Sequence, residues 1–273
     1  MAAVHLAVET AVVSSREPLG PGFWRIALRC PPIARAANPA QYVATDLPGP
    51  FAVRLPLGIW TVDGDEFTLL FREWGERTAQ LSRVMPGTEV SVIGPLGNSF
   101  QIPAPGSRAT IVAGGIGVVP FWLLGRALIQ AGVHTRVILG ARTKSMLVGA
   151  SELRALGLTL DICTDDGTAG EKGTVLDLLR HQDSVDMLYG CGPPTMLRAL
   201  CEHANAAKIT CQISMEETFG CSMGTCWGCV VPVRRGCPQA SGYPKAPDER
   251  RQYDFSRVCT DGTVYAASDV EWI

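Results

Sequence analysis

The sequence predicts a multi-domain protein with three units in order: an antiparallel β-barrel, an α/β domain with a parallel sheet, and a cysteine-rich metal module. Three observations support this prediction. Strand-like runs fill residues 1–104, strands and helices alternate over residues 105–206, and three cysteines crowd together in the segment 207–273. A chain of 273 residues is also long enough for two or three domains.

The composition narrows the class of protein. Apolar residues make up 47% of the chain and charged residues 18%, which favours well-buried cores and excludes a disordered chain. The net charge of −2 predicts neither a nucleic-acid partner nor a membrane-surface partner. No basic signal-peptide region opens the chain, and no apolar run nears the roughly 18 residues of a membrane-spanning helix. We therefore expect a cytoplasmic protein, in which clustered cysteines favour metal binding over disulfides.

Five runs in the first unit predict β-strands. They are rich in β-branched and aromatic residues, and signals such as "GPG", "LPGP" and "VDGDE" separate them. The runs are "HLAVETAVVSS", "FWRIALRC", "QYVATDL", "EFTLLFREW" and "TEVSVIGPLG". Short strands at this spacing are typical of a small antiparallel barrel or sandwich.

The second unit opens with a glycine turn between a strand and a helix. "ATIVA" has the character of a buried strand, Gly115 and Gly117 follow it, and a helix is predicted to begin near Pro120. Glycines at such a turn let the backbone approach a ligand, and the helix N-terminus attracts phosphate. Because Pro120 replaces the third glycine of the dinucleotide-binding fingerprint, a tight turn without a ligand stays an alternative.

A second glycine turn occurs in "YGCGPPTM", where Cys191 and Gly192 lead into another predicted helix. The other predicted strands of this unit are "RVILGAR" and "LTLDICTDD", and the helices include "GTVLDLLRHQ" and "PTMLRALCEHANA". This alternation predicts a parallel sheet covered on both faces. The two turns at strand carboxyl ends would then face one crevice, which favours a cofactor site over a merely buried Cys191.

The most specific signal is the spacing of Cys221, Cys226 and Cys229, which is C-x4-C-x2-C. With a distant fourth cysteine, this is the plant-type ligand pattern of a [2Fe–2S] cluster. Cys259 is the favoured fourth ligand and Cys237 its competitor. A structural zinc held by four thiolates is the alternative, although zinc sites usually pair two short C-x2-C knuckles and this chain has one. We expect the cysteines in apolar contexts, Cys30, Cys163, Cys201 and Cys211, to lie in the core.

The three units and their motifs resemble a known family over nearly the whole chain. "FGCSMGTCWGCVVPV" and "RVCTDGTVYAASDVEW" look like that family's cluster-binding ends, and "VIGPLGNSF", "VAGGIGVVP" and "YGCGPPTM" look like its linking and NAD-domain motifs. The chain is similar to the electron-transfer subunits of two-subunit, NAD-dependent dihydroorotate dehydrogenases, which belong to the ferredoxin–NADP reductase superfamily. The resemblance implies FAD at the junction of barrel and α/β domain, exchangeable NAD(H) in the α/β crevice, and a C-terminal plant-type [2Fe–2S] module.

The resemblance also implies flavin-binding positions, with departures from the family pattern. The Arg-Pro-x-Ser motif falls on Leu55, Pro56, Leu57 and Gly58, with Arg54 one place early, so the arginine and the serine are both out of register. The other implied positions are Leu70, Phe71, Arg72, Arg77 and Thr78, of which Thr78 would meet the flavin pyrophosphate. We expect Arg54, Arg72 or Arg77 to supply the missing charge. The segment between Cys229 and Cys259 is also longer than is usual in the family.

The implied function is electron transfer between NAD and the flavin of a separate catalytic subunit that oxidises dihydroorotate in pyrimidine biosynthesis. The assembly would be a heterotetramer with two copies of each subunit. NADH delivers two electrons as a hydride and a cluster takes one, so a flavin must stand between them. No catalytic side-chain nucleophile is expected. The positive charges of Arg142 and Lys144 would suit the 2′-phosphate of NADP, so NADP stays an alternative to NAD. Two alternatives remain: the flavin subunit of an NAD(P)H:ferredoxin oxidoreductase or a sulfhydrogenase, and a non-enzymatic zinc-binding module.

Overall fold

The computed structural model describes residues 7–47, 53–180, 184–241 and 252–273. Part of the long segment between Cys229 and Cys259 therefore lies outside the described residues, because residues 242–251 are not among them. No helix in the described ranges is both long enough and apolar enough to span a lipid bilayer.

The first unit is a closed antiparallel barrel of six strands in the order β1-β2-β5-β4-β3-β6. Its strands are β1 Val8–Gly20, β2 Phe23–Arg29, β3 Tyr42–Asp46, β4 Leu55–Asp63, β5 Glu66–Arg72 and β6 Glu89–Leu96. The barrel and five of these strands were predicted from the sequence. The sixth, β4, was missed because Pro56 and Gly58 disfavour a strand, yet Pro56 pairs with Ala44 and Gly58 with Tyr42.

Two short helices complete the barrel unit: α1 Pro31–Ala36 and α2 Glu76–Leu81. Each has six residues, too few for a helical period to show in the sequence. The barrel is filled by large side chains without solvent exposure, among them Ile26, Leu28 and Phe67. This closed core makes the barrel wall a rigid platform for one side of the site.

The second unit is built on a seven-stranded sheet in the order β10-β9-β8-β7-β11-β12-β15. The strands are β7 Arg108–Gly114, β8 His134–Ala141, β9 Thr159–Thr164, β10 Glu171–Lys172, β11 Met187–Cys191, β12 Thr210–Ser214 and β15 Val264–Ala266. All neighbouring pairs from β10 to β12 are parallel, and β15 pairs antiparallel with β12 at the edge. The predicted parallel sheet is confirmed, and its antiparallel edge comes from the segment predicted to be the metal module.

Helices cover both faces of this sheet, as predicted. They are α3 Phe121–Gln130, α4 Ala150–Ala155, α5 Val175–Arg180 and α6 Pro194–Ala207. Ile111 and Val137 pack with residues of α3 and α4 on one face. Val112 and Ile138 pack with residues of α5 and α6 on the other. Alternate side chains of a strand point to opposite faces, so each central strand contributes to both cores.

The remaining strands form a hairpin between β13 Val230–Arg234 and β14 Tyr253–Arg257. Its core is continuous with the α5–α6 face of the sheet, since Val231, Val233 and Val258 belong to the same buried cluster. Cys30, Cys163, Cys201 and Cys211 are all buried, as expected from their apolar contexts. The domain boundaries after residues 104 and 206 stay a prediction.

Candidate functional site

A cleft of about 460 Å³ lies where the three parts of the chain meet. Barrel residues such as Leu70 form one wall, and Ile116 and Cys191 from the two glycine turns form another. Met215 and Phe219, which lead from β12 into the cysteine segment, close the third side. The volume falls within the range of small-molecule sites, roughly 300–1,000 Å³. The cleft is therefore the candidate cofactor site.

Seven of the residues singled out in the sequence line this cleft: Pro56, Leu57, Gly58, Leu70, Phe71, Arg72 and Cys191. They come from β4, β5 and the end of β11, which the fold brings together from distant parts of the chain. Their surfaces are mostly apolar, with the guanidinium of Arg72 as the cationic group. The Arg72 guanidinium carbon also lies 5.5 Å from the ring centre of Trp74, a cleft residue that sequence reasoning missed.

Other singled-out residues lie outside the cleft wall: Arg54, Leu55, Arg77, Thr78, Gly115, Gly117 and Gly192. Arg54 donates to the carbonyl and the hydroxyl of Ser91, each at 3.2 Å, so its guanidinium is held on the barrel. The hydroxyl of Thr78 accepts hydrogen bonds from the amides of Trp74 and Gly75 and thereby fixes the start of α2. Burial lowers the pKa of Arg77.

Gly58 stands where the family motif has serine, and the structure leaves little room for a side chain there. A methyl group added at Gly58 would lie 2.8 Å from Cγ1 of Val119, well inside van der Waals contact. Val119 is itself a cleft residue and follows the first glycine turn. The valine therefore occupies the space that a side chain on β4 would need.

The two glycine turns pack directly against each other at the carboxyl ends of β7 and β11. A methyl group at Gly117 would lie 2.4 Å from the carbonyl oxygen of Cys191 and 2.7 Å from Cα of Gly192. Strands β7 and β11 are neighbours in the sheet. From β7 the chain continues to β8 on one side of this pair, and from β11 it continues to β12 on the other side. Such a reversal of strand order opens the crevice in which α/β sheets bind ligands.

The four predicted cluster cysteines lie in two pairs. The amide of Cys226 donates to Sγ of Cys221 at 3.4 Å. The amide of Val258, the residue before Cys259, donates to the carbonyl of Cys229 at 3.1 Å. Among the described residues, no three His, Cys, Asp or Glu side chains are grouped tightly enough to hold one metal ion.

Backbone amides turn towards the sulfurs in this segment. The amides of Met223 and Cys226 each lie 3.4 Å from Sγ of Cys221, and the amide of Gly228 lies 3.4 Å from Sγ of Cys226. Burial opposes ionisation of Cys221, but the hydrogen bonds outweigh it and lower its pKa to about 6. In the second pair, the hydrogen bond from Cys259 lowers the pKa of Cys229 to about 6 and raises the pKa of Cys259. At neutral pH each pair thus carries at least one thiolate, the form that binds metal.

Cys237 lies apart from the four predicted ligand cysteines. It is 4% exposed, its amide donates to the carbonyl of Arg234, and its sulfur accepts from the amide of Gln239. Burial raises its pKa. The structure buries Cys237, the competing fourth ligand, in a turn at the far end of the β13–β14 hairpin.

The barrel touches both cysteine segments through Tyr42, which sequence reasoning missed. Its hydroxyl lies 3.0 Å from the carbonyl oxygen of Cys259 and 3.3 Å from that of Ser222. Burial and the charge of nearby cysteines raise the pKa of Tyr42, so the hydroxyl stays a donor. A nearby bond joins the hydroxyl of Thr263 to the carbonyl of Ala40 at 2.8 Å. No local sequence pattern marks either contact, because each joins residues more than 200 positions apart.

Arg257 also makes contacts that hold the cysteine segments in place. It donates to the carbonyl of Gly224 at 2.9 Å and to the carboxylate of Asp261 at 3.0 Å, and it lies over the ring of Trp227. Burial disfavours the Asp261 carboxylate, but hydrogen bonds from Arg257 and Ser241 outweigh it and lower the pKa of Asp261. Arg257 therefore connects the first cysteine loop, through Gly224, to the turn after Cys259, through Asp261.

Comparison with curated proteins decides the family. The electron transfer subunit of dihydroorotate dehydrogenase B (NAD(+)) from Bacillus caldolyticus is 34% identical over 269 residues, covering 96% of this chain and 98% of the relative. The chain belongs to this family. The subunit of the same name from Desulforamulus reducens is 33% identical over 264 residues, covering 93% of the chain and 94% of the relative. No protein-family model matches the chain.

Solved structures show the same fold as this member of the electron transfer subunit family. The structure of an NADH-dependent reduced ferredoxin-NADP oxidoreductase superposes with a TM-score of 0.80 at 24% identity, covering all of this chain and 92% of the other. The cytochrome b5 reductase domain of Ulva prolifera nitrate reductase gives 0.62 at 18% identity, covering 74% of this chain and 93% of the other. The second likeness leaves about a quarter of this chain unmatched, whereas the first extends over its full length.

Proposed function

We propose that this chain carries electrons between NAD(H) and a dihydroorotate-oxidising catalytic subunit, through FAD in the cleft and a [2Fe–2S] cluster on the four paired cysteines. FAD would supply the exchange between a two-electron hydride and single electrons. The observation that supports this most is the convergence of barrel wall, glycine turns and cysteine segment on one cleft. If the barrel, the α/β domain and the cysteine segment bound their ligands independently, they would not need to line the same cleft.

The cleft residues fit a flavin. Pro56, Leu57, Leu70 and Phe71 offer an apolar surface, and Arg72 offers a positive charge towards the anionic end of the cofactor. Arg54, Leu55, Arg77 and Thr78 do not line the cleft, so a role for them in holding FAD would require contacts beyond it. Gly115, Gly117, Cys191 and Gly192 stand at the strand ends where a nicotinamide dinucleotide would enter.

The cysteine arrangement supports a cluster of two irons over one zinc. A zinc ion needs four ligands around a single point, whereas a [2Fe–2S] cluster takes two ligands on each of two irons. The pairs Cys221–Cys226 and Cys229–Cys259 match the second requirement. The amides directed at Cys221 and Cys226 would stabilise the negative charge of thiolate ligands.

The family supports a partner subunit. The relatives are named as one subunit of a larger enzyme, dihydroorotate dehydrogenase B (NAD(+)). We propose an assembly with that enzyme's catalytic subunit, with two copies of each, in the cytoplasm. Dihydroorotate would be oxidised there in pyrimidine biosynthesis and its electrons passed through this chain to NAD.

Anaerobic purification tests the proposal. The chain should contain FAD and about two irons and two acid-labile sulfides, and NADH should bleach the flavin spectrum. Mixed with a dihydroorotate-oxidising subunit, it should form a complex that reduces NAD with dihydroorotate. One zinc without sulfide would contradict the cluster, and an intact flavin and cluster without this coupling would favour a ferredoxin or sulfur-compound partner.

A further inference from the structure

We propose that Tyr42 is a positioning residue for electron transfer, whose hydroxyl holds both cluster-ligand segments against the wall of the flavin cleft. This inference rests on the proposed function. It adds a residue that neither the cysteine spacing nor the flavin motif singles out.

The hydroxyl of Tyr42 directs its one proton between two carbonyl oxygens, at 3.0 and 3.3 Å, in a three-centre hydrogen bond. One acceptor is the carbonyl of Ser222, in the loop between Cys221 and Cys226, and the other is the carbonyl of Cys259 itself. The two acceptors belong to different cysteine pairs. A single donor therefore fixes both pairs relative to strand β3 of the barrel.

Tyr42 also lines the cleft that is proposed to hold FAD. Its neighbours Ala40 and Gln41 line it too, as does Phe219 on the cysteine side. The ring centres of Tyr42 and Phe219 are 5.1 Å apart, and Phe219 precedes Cys221 by two residues. The two rings thus lie between the cleft and Cys221, the first proposed ligand.

The rigidity of this contact matters because electron transfer between two fixed centres depends on their separation and on the medium between them. Tyr42 is 4% exposed, and its strand belongs to the closed barrel, so its hydroxyl has little freedom to move. Hydrogen bonds to the groups around a cluster also help to set its reduction potential. Removing the hydroxyl should therefore change the cluster while leaving hydride transfer to the flavin untouched.

The test uses Tyr42→Phe in the full chain, with stopped-flow reduction by NADH. We expect wild-type contents of FAD, iron and sulfide and an unchanged rate of flavin bleaching. The following phase of cluster reduction should be about 10-fold slower, the lower end of the range for outer-shell substitutions. The electron paramagnetic resonance spectrum of the chemically reduced cluster should shift as well, a readout that does not depend on turnover.

Tyr189→Phe is the matched control, because Tyr189 also donates from a largely buried hydroxyl to a carbonyl, that of Gln101 at 2.7 Å. It should leave both phases and the resonance spectrum unchanged. If Tyr42→Phe does not fold, Phe219→Leu removes the ring whose centre lies 5.1 Å from that of Tyr42, and it should slow cluster reduction with FAD, iron and sulfide retained.

Two results would overturn the inference. A Tyr42→Phe protein with wild-type cluster kinetics and spectrum would show that the hydroxyl has no such role. Loss of the cluster with FAD retained would make Tyr42 a residue for assembly and not for transfer. A wild-type chain without iron, sulfide or flavin would instead refute the proposed function, which the same cofactor measurement reveals before any variant is made.

Discussion

Cys229 and Cys259 lie at the same end of one hairpin although 29 residues separate them in the sequence. The register of the β13–β14 hairpin explains this, since Val230 pairs with Arg257 and the amide of Val258 donates to the carbonyl of Cys229. The two cysteines therefore flank the paired end of the hairpin, and the long insertion leaves from the opposite end. Its length has no direct effect on the geometry of the pair.

The first prediction compares two cysteine substitutions. Cys259→Ser should lose the cluster's part of the visible spectrum and most of the iron, because it removes one of the proposed ligand thiols. Cys237→Ser should retain both, since its sulfur lies in a separate turn and contacts Gln239. Iron and sulfide assays with absorbance spectra provide the measurement. The opposite pattern would assign the fourth ligand to Cys237.

The second prediction concerns the missing serine of the flavin motif. Gly58→Ser should weaken FAD binding about 10-fold or more, because overpacking against Val119 costs roughly 1–3 kcal/mol. Val119→Ala should be close to wild type on its own and should recover much of the affinity when combined with Gly58→Ser. Fluorescence titration of FAD into the flavin-free protein measures this. Equal losses in the single and double variants would contradict the steric explanation.

The third prediction addresses the contact between the two glycine turns. Gly117→Ala should lower the free energy of unfolding by roughly 1–3 kcal/mol and slow NADH-dependent flavin reduction, because the added methyl meets backbone atoms of Cys191 that cannot rotate away. Gly75→Ala has open space around its methyl and should stay within about 0.5 kcal/mol of wild type. Urea unfolding and stopped-flow kinetics test both. An unaffected Gly117→Ala protein would show that the turns can separate without consequence.

The fourth prediction is a pH dependence. Because the folded pKa of Asp261 is lowered, its carboxylate stabilises the fold above its unfolded pKa of about 3.9, and this contribution is lost as pH falls through the lower folded pKa. Asp261→Asn should lose about 1–3 kcal/mol near neutral pH, the cost of breaking a partly buried charged hydrogen bond. The difference in urea midpoint between wild type and variant should shrink towards about pH 3.

A surface pair provides the control for that experiment. Asp65 contacts Arg35, whose side chain is 71% exposed, and such pairs contribute at most about 1 kcal/mol. Asp65→Asn should therefore be close to wild type at all pH values tested. A constant difference between wild type and Asp261→Asn over the acid range would show that the carboxylate charge is not what stabilises the turn.

Local patterns in the sequence predicted most of the fold, because burial repeats along a strand or helix with a fixed period. They identified the barrel, the parallel sheet and the turns at Gly117 and Cys191. Contacts between residues far apart in the sequence leave no such periodic pattern. The sequence around Arg54 does not show that its guanidinium bonds to Ser91, and nothing in "DGTVYAAS" specifies that β15 pairs antiparallel with β12.

The same limit applies within the candidate site. The cysteine spacing is local and predicts a cluster, and the positions matched through family resemblance supplied seven residues of the cleft. Trp74, Val119 and Phe219 also line it but were not among the residues assigned a role from the sequence. Their contribution depends on which surfaces meet after folding, which a single sequence does not reveal.

The pairing of Cys229 with Cys259 has a consequence for biosynthesis. The barrel and the parallel strands of the sheet are complete by Ser214, well before the ribosome reaches Cys259. The nascent chain can therefore form the barrel and sheet walls of the cleft, although not the part that Thr263 contributes, while it still lacks one of the proposed cluster ligands. Under the proposed function, the stretch of chain from Cys259 onward would complete both the flavin cleft and the ligand set, and a chain that stalls in the insertion would lack both.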